Sequence, residues 1–391
     1  MIFIEQLSSI LFFIFLCVIT YSFAFEGGGL FSTALDFDIA SPAKTDNPSI
    51  FSNPNKLSLW LKQNIDKNSF YNFAVQGSAY FKLRKYMAPT SEKVSAKAIL
   101  DVDLLKFTFF VPLEKKGSLL IEAGRRAIAD STGIIMSQAF DGVFIKYRHP
   151  HFTLMTSLAF TGLLNANTVV LNENDIKVKN NVYSLTKSYI GLMALFHVPF
   201  LKSSYSLYGD SLNFFETKAN GKIKSYLTIG IKGPIVKRLF FAASFSGSYV
   251  KEKSKIQAGI LATGAIAYYF KKYNAKLGVN MQFAQGGKNS FQTFTLRHLS
   301  RQFYSPYTNT WNTGLKMSIK PLEELYLEAL CNIICNGVKS SEGHIYRGFE
   351  WLTAANYTIK RDINIEASLG QYIKRNASMV TFLSLKGIIS F

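Results

Sequence analysis

Two kinds of feature are scarce in this sequence. Beyond its first two dozen residues, no stretch approaches the ~18 consecutive apolar residues of a transmembrane helix, although 48% of the 391 residues are hydrophobic. There are three cysteines, at positions 17, 331 and 335. Cys331 and Cys335 would lie roughly 13 Å apart on one extended strand, too far for a disulfide. The sequence therefore excludes a bundle of membrane-spanning helices, and we predict that both of these cysteines face lipid.

Motifs for enzyme or cofactor chemistry are also missing. There is no P-loop, no G-x-G-x-x-G turn and no zinc-ribbon spacing. His298 and Ser300 form an H-x-S pair, but they fall in a predicted loop, where a nucleophile and its base would not be held rigidly. Asp36 and Asp38 share one strand face, and the polarity of that face explains them without paired-carboxylate catalysis. We predict no enzyme activity, no catalytic residues, no cofactor and no metal site.

Acidic residues are few relative to basic ones. The chain has 25 Asp and Glu against 44 Lys and Arg, a formal net charge of +19. A nucleic-acid-binding protein would cluster this charge in a patch or stripe, whereas here it is scattered through turns and alternating segments. We therefore predict no nucleic-acid partner. Anionic surface lipids and anionic solutes suit the charge better.

Residues 1–24 are typical of a secretory signal peptide. A short apolar run ends before Ser22 and Ala24, which supply the small residues that a cleavage site requires. We predict cleavage after Ala24, export through the inner membrane, and one mature domain of residues 25–391. The region before the apolar run has no Lys or Arg, so an uncleaved anchor or a lipoprotein signal at Cys17 stays open as an alternative.

What the mature sequence does contain is alternation of apolar and polar residues. The period-2 pattern of β-strands recurs in about eighteen segments. These are 29–39, 56–64, 70–83, 98–110, 117–126, 140–148, 152–161, 187–197, 202–213, 222–231, 238–250, 256–270, 274–284, 309–319, 323–335, 345–358, 362–373 and 378–391. Short and long connections alternate between them, and all ten prolines fall in connections. Aromatic residues recur near the segment ends, as the interfacial girdles of a membrane barrel require.

This pattern predicts an all-β, transmembrane, antiparallel up-and-down barrel. Lipid cannot satisfy an open sheet edge, so the strands must close. An even strand number places both termini on one side, and we predict eighteen. The alternative is sixteen strands with residues 25–69 as a periplasmic arm or plug. A secreted β-sandwich or β-helix would also alternate and stays open as the soluble alternative.

At this point the chain resembles bacterial outer-membrane porins. The C-terminal residues that resemble the signal read by the barrel-insertion machinery are Leu385, Gly387, Ile389 and Phe391. Residues 121–126 (IEAGRR) and 140–143 (FDGV) are similar to the G-R … D-G-V hairpin of large substrate-channel porins. Segments 57–61 and 161–166 resemble, more loosely, spirochaetal outer-membrane proteins. The resemblance implies an outer-membrane location and diffusion or substrate-selective transport, without identifying a solute.

Inward-facing charges are the candidate functional residues, because charged walls in a pore orient and filter solutes. The basic candidates are Lys82, Arg84, Arg126, Lys146, Lys224, Lys276, Lys316 and Lys386. The acidic candidates are Asp36, Asp38, Glu122, Glu328 and Glu366. Arg126 is preferred, because Gly124 beside it leaves space. The alternative is that these charges only solvate a wide lumen and pair with one another.

The longest connections are 162–186 and 285–308, and we expect that either could fold inward as a constriction or bind a host or surface ligand. The predicted function is passive passage of small hydrophilic solutes with an anionic bias. The alternatives are a surface-exposed adhesin or structural barrel with an occluded lumen, and a hydrophobic-substrate transporter with an N-terminal plug. A homotrimer fits many porins, although no sequence feature demands it.

Overall fold

The computed structural model describes most of the predicted mature domain. The described residues are 25–40, 49–66, 68–87, 92–113, 117–161, 171, 187–201, 204–218, 221–271, 273–296, 307–338, 343–375 and 378–391. The predicted signal peptide and nearly all of loop 162–186 lie outside them. Within these ranges the only helix is the 3-10 turn Gly287–Asn289, and no helix is long and apolar enough to cross a membrane.

Eighteen β-strands make up the structure. They are β1 (Glu26–Ala40), β2 (Ser49–Asn64), β3 (Tyr71–Met87), β4 (Glu92–Pro112), β5 (Ser118–Ala129), β6 (Ser137–Arg148), β7 (Thr153–Thr161), β8 (Tyr189–Phe200), β9 (Tyr205–Glu216), β10 (Ile223–Val236), β11 (Leu239–Glu252), β12 (Lys255–Phe270), β13 (Ala275–Ala284), β14 (Thr310–Ile319), β15 (Leu325–Cys335), β16 (Tyr346–Lys360), β17 (Ile363–Lys374) and β18 (Met379–Ser390). Each one overlaps a segment that the alternation predicted.

The strands close into one antiparallel, up-and-down barrel. Each strand pairs with its neighbours in sequence, and β1 pairs with β18, with Phe37 opposite Leu383. The predicted eighteen-stranded barrel is therefore confirmed. The sixteen-strand alternative, with residues 25–69 as an arm or plug, is wrong, because β1 and β2 pair with each other and with β18 and β3 as part of the wall.

The two faces of the wall differ as the alternation predicts. In β18 the side chains of Leu383 and Leu385 are 45% and 51% exposed, whereas those of Phe382 and Ser384 are 4% and 3% exposed. Exposed apolar side chains point outward, where lipid rather than water is the solvent. Outward aromatic side chains near strand ends include Tyr71, Phe81, Tyr249, Tyr268, Phe270, Trp311, Tyr357 and Phe391. Cys331 and Cys335 are free and lie opposite the exposed Leu315 and Trp311.

The prediction that every proline lies in a connection is wrong for four of them. Pro112, Pro199 and Pro234 fall within the last three residues of β4, β8 and β10, and Pro54 lies inside β2. A strand end or a bulge tolerates proline because few ladder bonds are lost there. The β10–β11 register shifts at Pro234, as this explanation requires.

Pro54 is accommodated by a local substitute for its missing donor. The pairing of β1 with β2 skips two residues on each strand, so the ladder is interrupted there; they are Ala34, Leu35, Asn53 and Pro54. The side-chain amide of Asn53 donates a hydrogen bond of 2.7 Å to the carbonyl of Ala34. A carbonyl inside the wall therefore keeps a partner although proline has no N–H.

The G-R … D-G-V hairpin has a backbone reason for its glycines. Gly124 and Gly142 lie directly opposite each other in β5 and β6. Gly124 has a φ of +120°, and a Cβ there would overlap the carbonyl oxygen of Leu105. Beside the glycines, Arg125 and Asp141 form a nearly buried ion pair at 3.3 Å. The motif thus fixes a distortion of the wall next to Arg126.

Gly124→Ala should lower the stability of the barrel. A side chain at this positive φ costs about 1–3 kcal/mol, and the overlap with Leu105 adds to that cost. The measurement is the temperature at which the compact form is lost in heat-modifiable gel migration. Gly247→Ala in β11 is the control, because nothing lies within 4 Å of its Cβ position. Equal transition temperatures for the two variants would contradict the assignment.

Candidate functional site: the pore and its inner loops

In the part of the chain that the structure describes, two connections run inside the barrel for several residues. We call residues 130–136, between β5 and β6, the first inner loop, and residues 285–296, after β13, the second inner loop. Ile135 and Met136 of the first and Phe291 and Phe294 of the second are 0% exposed. The second belongs to the predicted loop 285–308. Of loop 162–186 only Leu171 is described, and it forms an isolated bridge to Thr295.

The first inner loop was missed by the sequence interpretation. It is short, and its fold rests on a turn around Asp130. The Asp130 carboxylate accepts hydrogen bonds from the backbone N–H groups of Thr132 (3.0 Å) and Met136 (2.8 Å) and from the Thr132 hydroxyl. Burial raises the pKa of the Asp130 carboxyl, although these donors favour its charged form. An aspartate followed two residues later by threonine is the local signal for such a turn.

Aromatic rings hold the second inner loop against the wall. The ring of Phe294 stacks on Phe214 of β9 at 3.6 Å and meets the edge of Tyr189 of β8 at 5.4 Å. The ring of Phe291 meets Tyr226 of β10 at 6.3 Å. These rings belong to one buried apolar cluster inside the barrel. The loop therefore packs along strands β8 to β12 and does not hang free in the lumen.

The two inner loops are tied to each other by backbone hydrogen bonds. The Ile135 carbonyl accepts bonds from the N–H groups of Phe294 (2.9 Å) and Thr295 (3.1 Å). The N–H of Ser137 donates to the Thr295 hydroxyl at 3.0 Å. Buried backbone groups need such partners. Movement of one loop would therefore break bonds of the other.

Lys224 lies beneath the second inner loop. Its side chain is 0% exposed, and its ammonium lies 5.5 Å from the ring centroid of Tyr189 and 5.6 Å from that of Phe294. Both distances suit a cation–π interaction. Lys224 points inward as its parity predicts. It is covered by the second inner loop, and its contacts with Tyr189 and Phe294 stabilise the packing of that loop on the wall.

The other predicted residues lie mainly in ion pairs on the inner wall. Glu122 contacts both Lys106 and Arg126, and the Arg126 guanidinium lies 5.3 Å over the Phe144 ring. Farther round the wall, Lys316 pairs with Glu328 at 2.8 Å and Lys386 with Glu366 at 3.9 Å. The side chains of these four residues are 25–48% exposed.

The remaining predicted residues share the inward face. Asp36 lies opposite the buried Ser52 and Ser384, and Arg84 lies on the other side of Ser52. By the same registers Asp38, Lys82 and Lys146 point inward, and Lys276 lies 5.3 Å from the Tyr269 ring. Lys56 is an additional inward residue, pairing with Asp103 at 3.1 Å. A register shift at Gln76/Gly77 leaves Asp103 without a partner in the β3–β4 ladder and turns Lys106 to the face of Glu122, which simple alternation from Asp101 does not anticipate.

The inner wall is thus divided into two sectors. The inner loops cover inward side chains of β6 to β12, whereas most of the partly exposed ion pairs lie on β14 to β18 and β1 to β5. The pair Lys222–Glu252, at the end of β11, is an exception. Charged pairs on one side face an apolar, loop-covered wall on the other.

A closed antiparallel wall with loops folded into its lumen is the architecture of porin-like barrels. No protein-family model matches the chain, and no curated protein matches its sequence. Three solved structures resemble it in fold at 10% sequence identity. Pseudomonas aeruginosa OccK7 (OpdD) has a TM-score of 0.63, and the match covers 94% of this chain and 98% of that one. Acinetobacter baumannii OccAB4 has a TM-score of 0.58, with 95% of this chain and 99% of that one covered, and P. aeruginosa OpdK with vanillate has a TM-score of 0.56, with 94% and 99% covered. The likeness is one of fold.

Gly259 offers a way to displace the second inner loop while keeping the wall. A Cβ at this position of β12 would overlap the backbone nitrogen of Phe291. Gly259→Ala should push the loop off the wall and raise the reactivity of a reporter cysteine at Thr293, which is 0% exposed. Thiol labelling of folded protein, with Cys331 and Cys335 replaced by alanine, measures this.

Gly264→Ala is the matched control in the same strand, because nothing lies within 4 Å of its Cβ position. It should leave the labelling rate unchanged. If Gly259→Ala labels as slowly as this control, then the second inner loop does not pack on β12.

Proposed function

We propose that this protein is an outer-membrane channel for small hydrophilic solutes, exported by its first 24 residues. One observation carries the proposal: a closed barrel presents partly exposed ion pairs on one sector of its lumen and an inner-loop wall on the other. Partly exposed charges on the inner face of a barrel are what a water-filled pore requires. The similarly folded OpdK, described with vanillate, supports a solute of small size.

The proposal includes a preference for anions. Lys106 and Arg126 share the single carboxylate of Glu122, which leaves an excess positive charge at this position. Lys146 on the adjacent strand faces the same side. A net basic excess in a narrow pore favours anions. Arg126 also contacts Phe144, which belongs to the same buried cluster as Phe294, so its charge lies beside the inner loops.

An adhesin or structural barrel with an occluded lumen is the second candidate. The observation in its favour is the apolar cluster under the inner loops, which fills part of the lumen. A host or surface ligand would then bind at loops 162–186 and 285–308. The hydrophobic-substrate transporter loses its basis, because its N-terminal plug consists of wall strands.

Assembly and partners stay predictions. Leu385, Ile389 and Phe391 are exposed on the outer face and, with Gly387, form the proposed signal for the barrel-insertion machinery. Phe391 also exchanges two backbone hydrogen bonds with Gly29 of β1, at 2.7 and 3.0 Å. The proposed signal therefore lies at the seam that closes the barrel. Outer-membrane lipid and a homotrimer are the remaining proposed partners.

Planar-bilayer recording of refolded protein tests the channel. We expect stable open steps and a reversal potential that indicates anion preference. Arg126→Ala should reduce that preference by up to roughly fivefold, because a unit charge about 4 Å from an ion changes its free energy by ~1 kcal/mol in water. The effect should shrink as salt rises.

Lys251→Ala is the matched control. Lys251 is exposed near the end of β11, so this substitution removes the same charge outside the lumen. Its ion preference should equal that of the unchanged protein. Silent bilayers with correctly folded barrels would favour the occluded candidate, and an unchanged preference in Arg126→Ala would refute its role.

A further inference from the structure

A carboxylate on the wall receives the first inner loop. Asp210 of β9 is 1% exposed. It accepts one hydrogen bond from the backbone N–H of Ser131 at 2.7 Å and another from the Ser131 hydroxyl at 2.6 Å. The loop leaves the wall at β5 and returns at β6, three strands from β9 and roughly 14 Å along the sheet. Ser131 must therefore extend inside the barrel to reach Asp210.

We propose that Asp210 is the positioning residue of the constriction, holding the first inner loop inside the lumen through Ser131. This inference rests on the proposed channel function. It assigns to one residue the task of setting the pore width, and Asp210 itself need not contact the solute.

The Asp210 carboxyl is buried, and the first inner loop supplies two of its hydrogen bonds. Within the described ranges, neither Asp210 nor its neighbour Asp130 has a basic side chain at salt-bridge distance. Leu195 and Thr228 lie opposite Asp210 in the sheet, and the nearby titratable groups are Asp130 and Tyr208. The two Ser131 donors thus supply the polar contacts that offset burial of the Asp210 carboxyl. A buried polar group that loses its donors is costly, so the wall favours the loop in place.

The anchor extends to the second inner loop. Ser131 and Ile135 belong to the same seven-residue loop, and Ile135 accepts the N–H groups of Phe294 and Thr295. If Ser131 loses its hydrogen bonds to Asp210, then the first inner loop can move, and the bonds that its Ile135 carbonyl accepts from Phe294 and Thr295 are weakened. We therefore expect loss of Asp210 to loosen both inner loops, whereas the wall, which is held by its own ladders, stays closed.

Four variants test the anchor: Asp210→Ala, Asp210→Asn, Ser131→Ala and the double variant Ser131→Ala/Asp210→Ala. Asp210→Ala should raise single-channel conductance and open-channel noise. Asp210→Asn should restore values near those of the unchanged protein, because its amide oxygen can accept the Ser131 N–H and its amino group can donate to the hydroxyl. The double variant should change conductance no more than Asp210→Ala alone.

Thiol labelling gives a readout that does not require a channel. In a chain with Cys331→Ala and Cys335→Ala, Thr293→Cys should be protected. Adding Asp210→Ala should speed its labelling about tenfold or more, as expected for a hydrogen-bonded charged anchor. Adding Glu328→Ala, which removes a lumen acid without touching either inner loop, should not. Heat-modifiable migration should show all these barrels folded.

The two failures are distinguishable. If the bilayers stay silent but Asp210→Ala exposes Thr293→Cys, the channel proposal fails and the anchor stands. If Asp210→Ala leaves both labelling and conductance unchanged while the barrel is folded, or if Asp210→Asn behaves like Asp210→Ala, the proposed role of Asp210 is overturned.

Discussion

Hydrogen bonding of the backbone in lipid is the constraint on which this structure depends. A strand edge facing hydrocarbon would leave N–H and C=O groups without partners, at several kcal/mol each. The pairing of β1 with β18 removes that edge. Two backbone hydrogen bonds between Gly29 and Phe391 extend this pairing to Phe391. Closure in turn gives each strand an outer face toward lipid and an inner face toward the interior of the barrel. The period-2 pattern is the consequence of that separation.

This explains which parts of the fold could be predicted. Alternation and turn spacing are local, so all eighteen strands and the inward parity of Arg126 could be predicted from the sequence. Pro54 broke the rule that prolines avoid strands, because the side chain of Asn53 replaces the missing donor. The first inner loop could not be predicted either. Its place depends on Asp210, 79 residues away, and no local pattern encodes such a contact.

The inner loops and the wall are stabilised by different interactions: backbone ladders hold the wall, whereas side chains hold the loops. The loops lie inside the barrel and belong to no strand ladder, so side chains must stabilise their inward fold. Stacked Phe294 and Phe214, the cation of Lys224 and the bonds at Ile135 provide this. The result is a small apolar core on one side of the lumen. It makes the lumen asymmetric, with apolar side chains on one side and most of the partly exposed ion pairs on the other.

Local pairing, rather than the net charge of +19, sets how much charge the charged sector presents. Lys316 and Lys386 each have an acidic partner, so their charges largely cancel at a distance. Glu122 instead serves two cations, and the excess there is not cancelled by its own pair. Screening by salt reaches exposed pairs first and partly buried groups less. Arg126, three-quarters covered and beside the inner loops, should therefore keep its field at higher salt than the scattered surface lysines do.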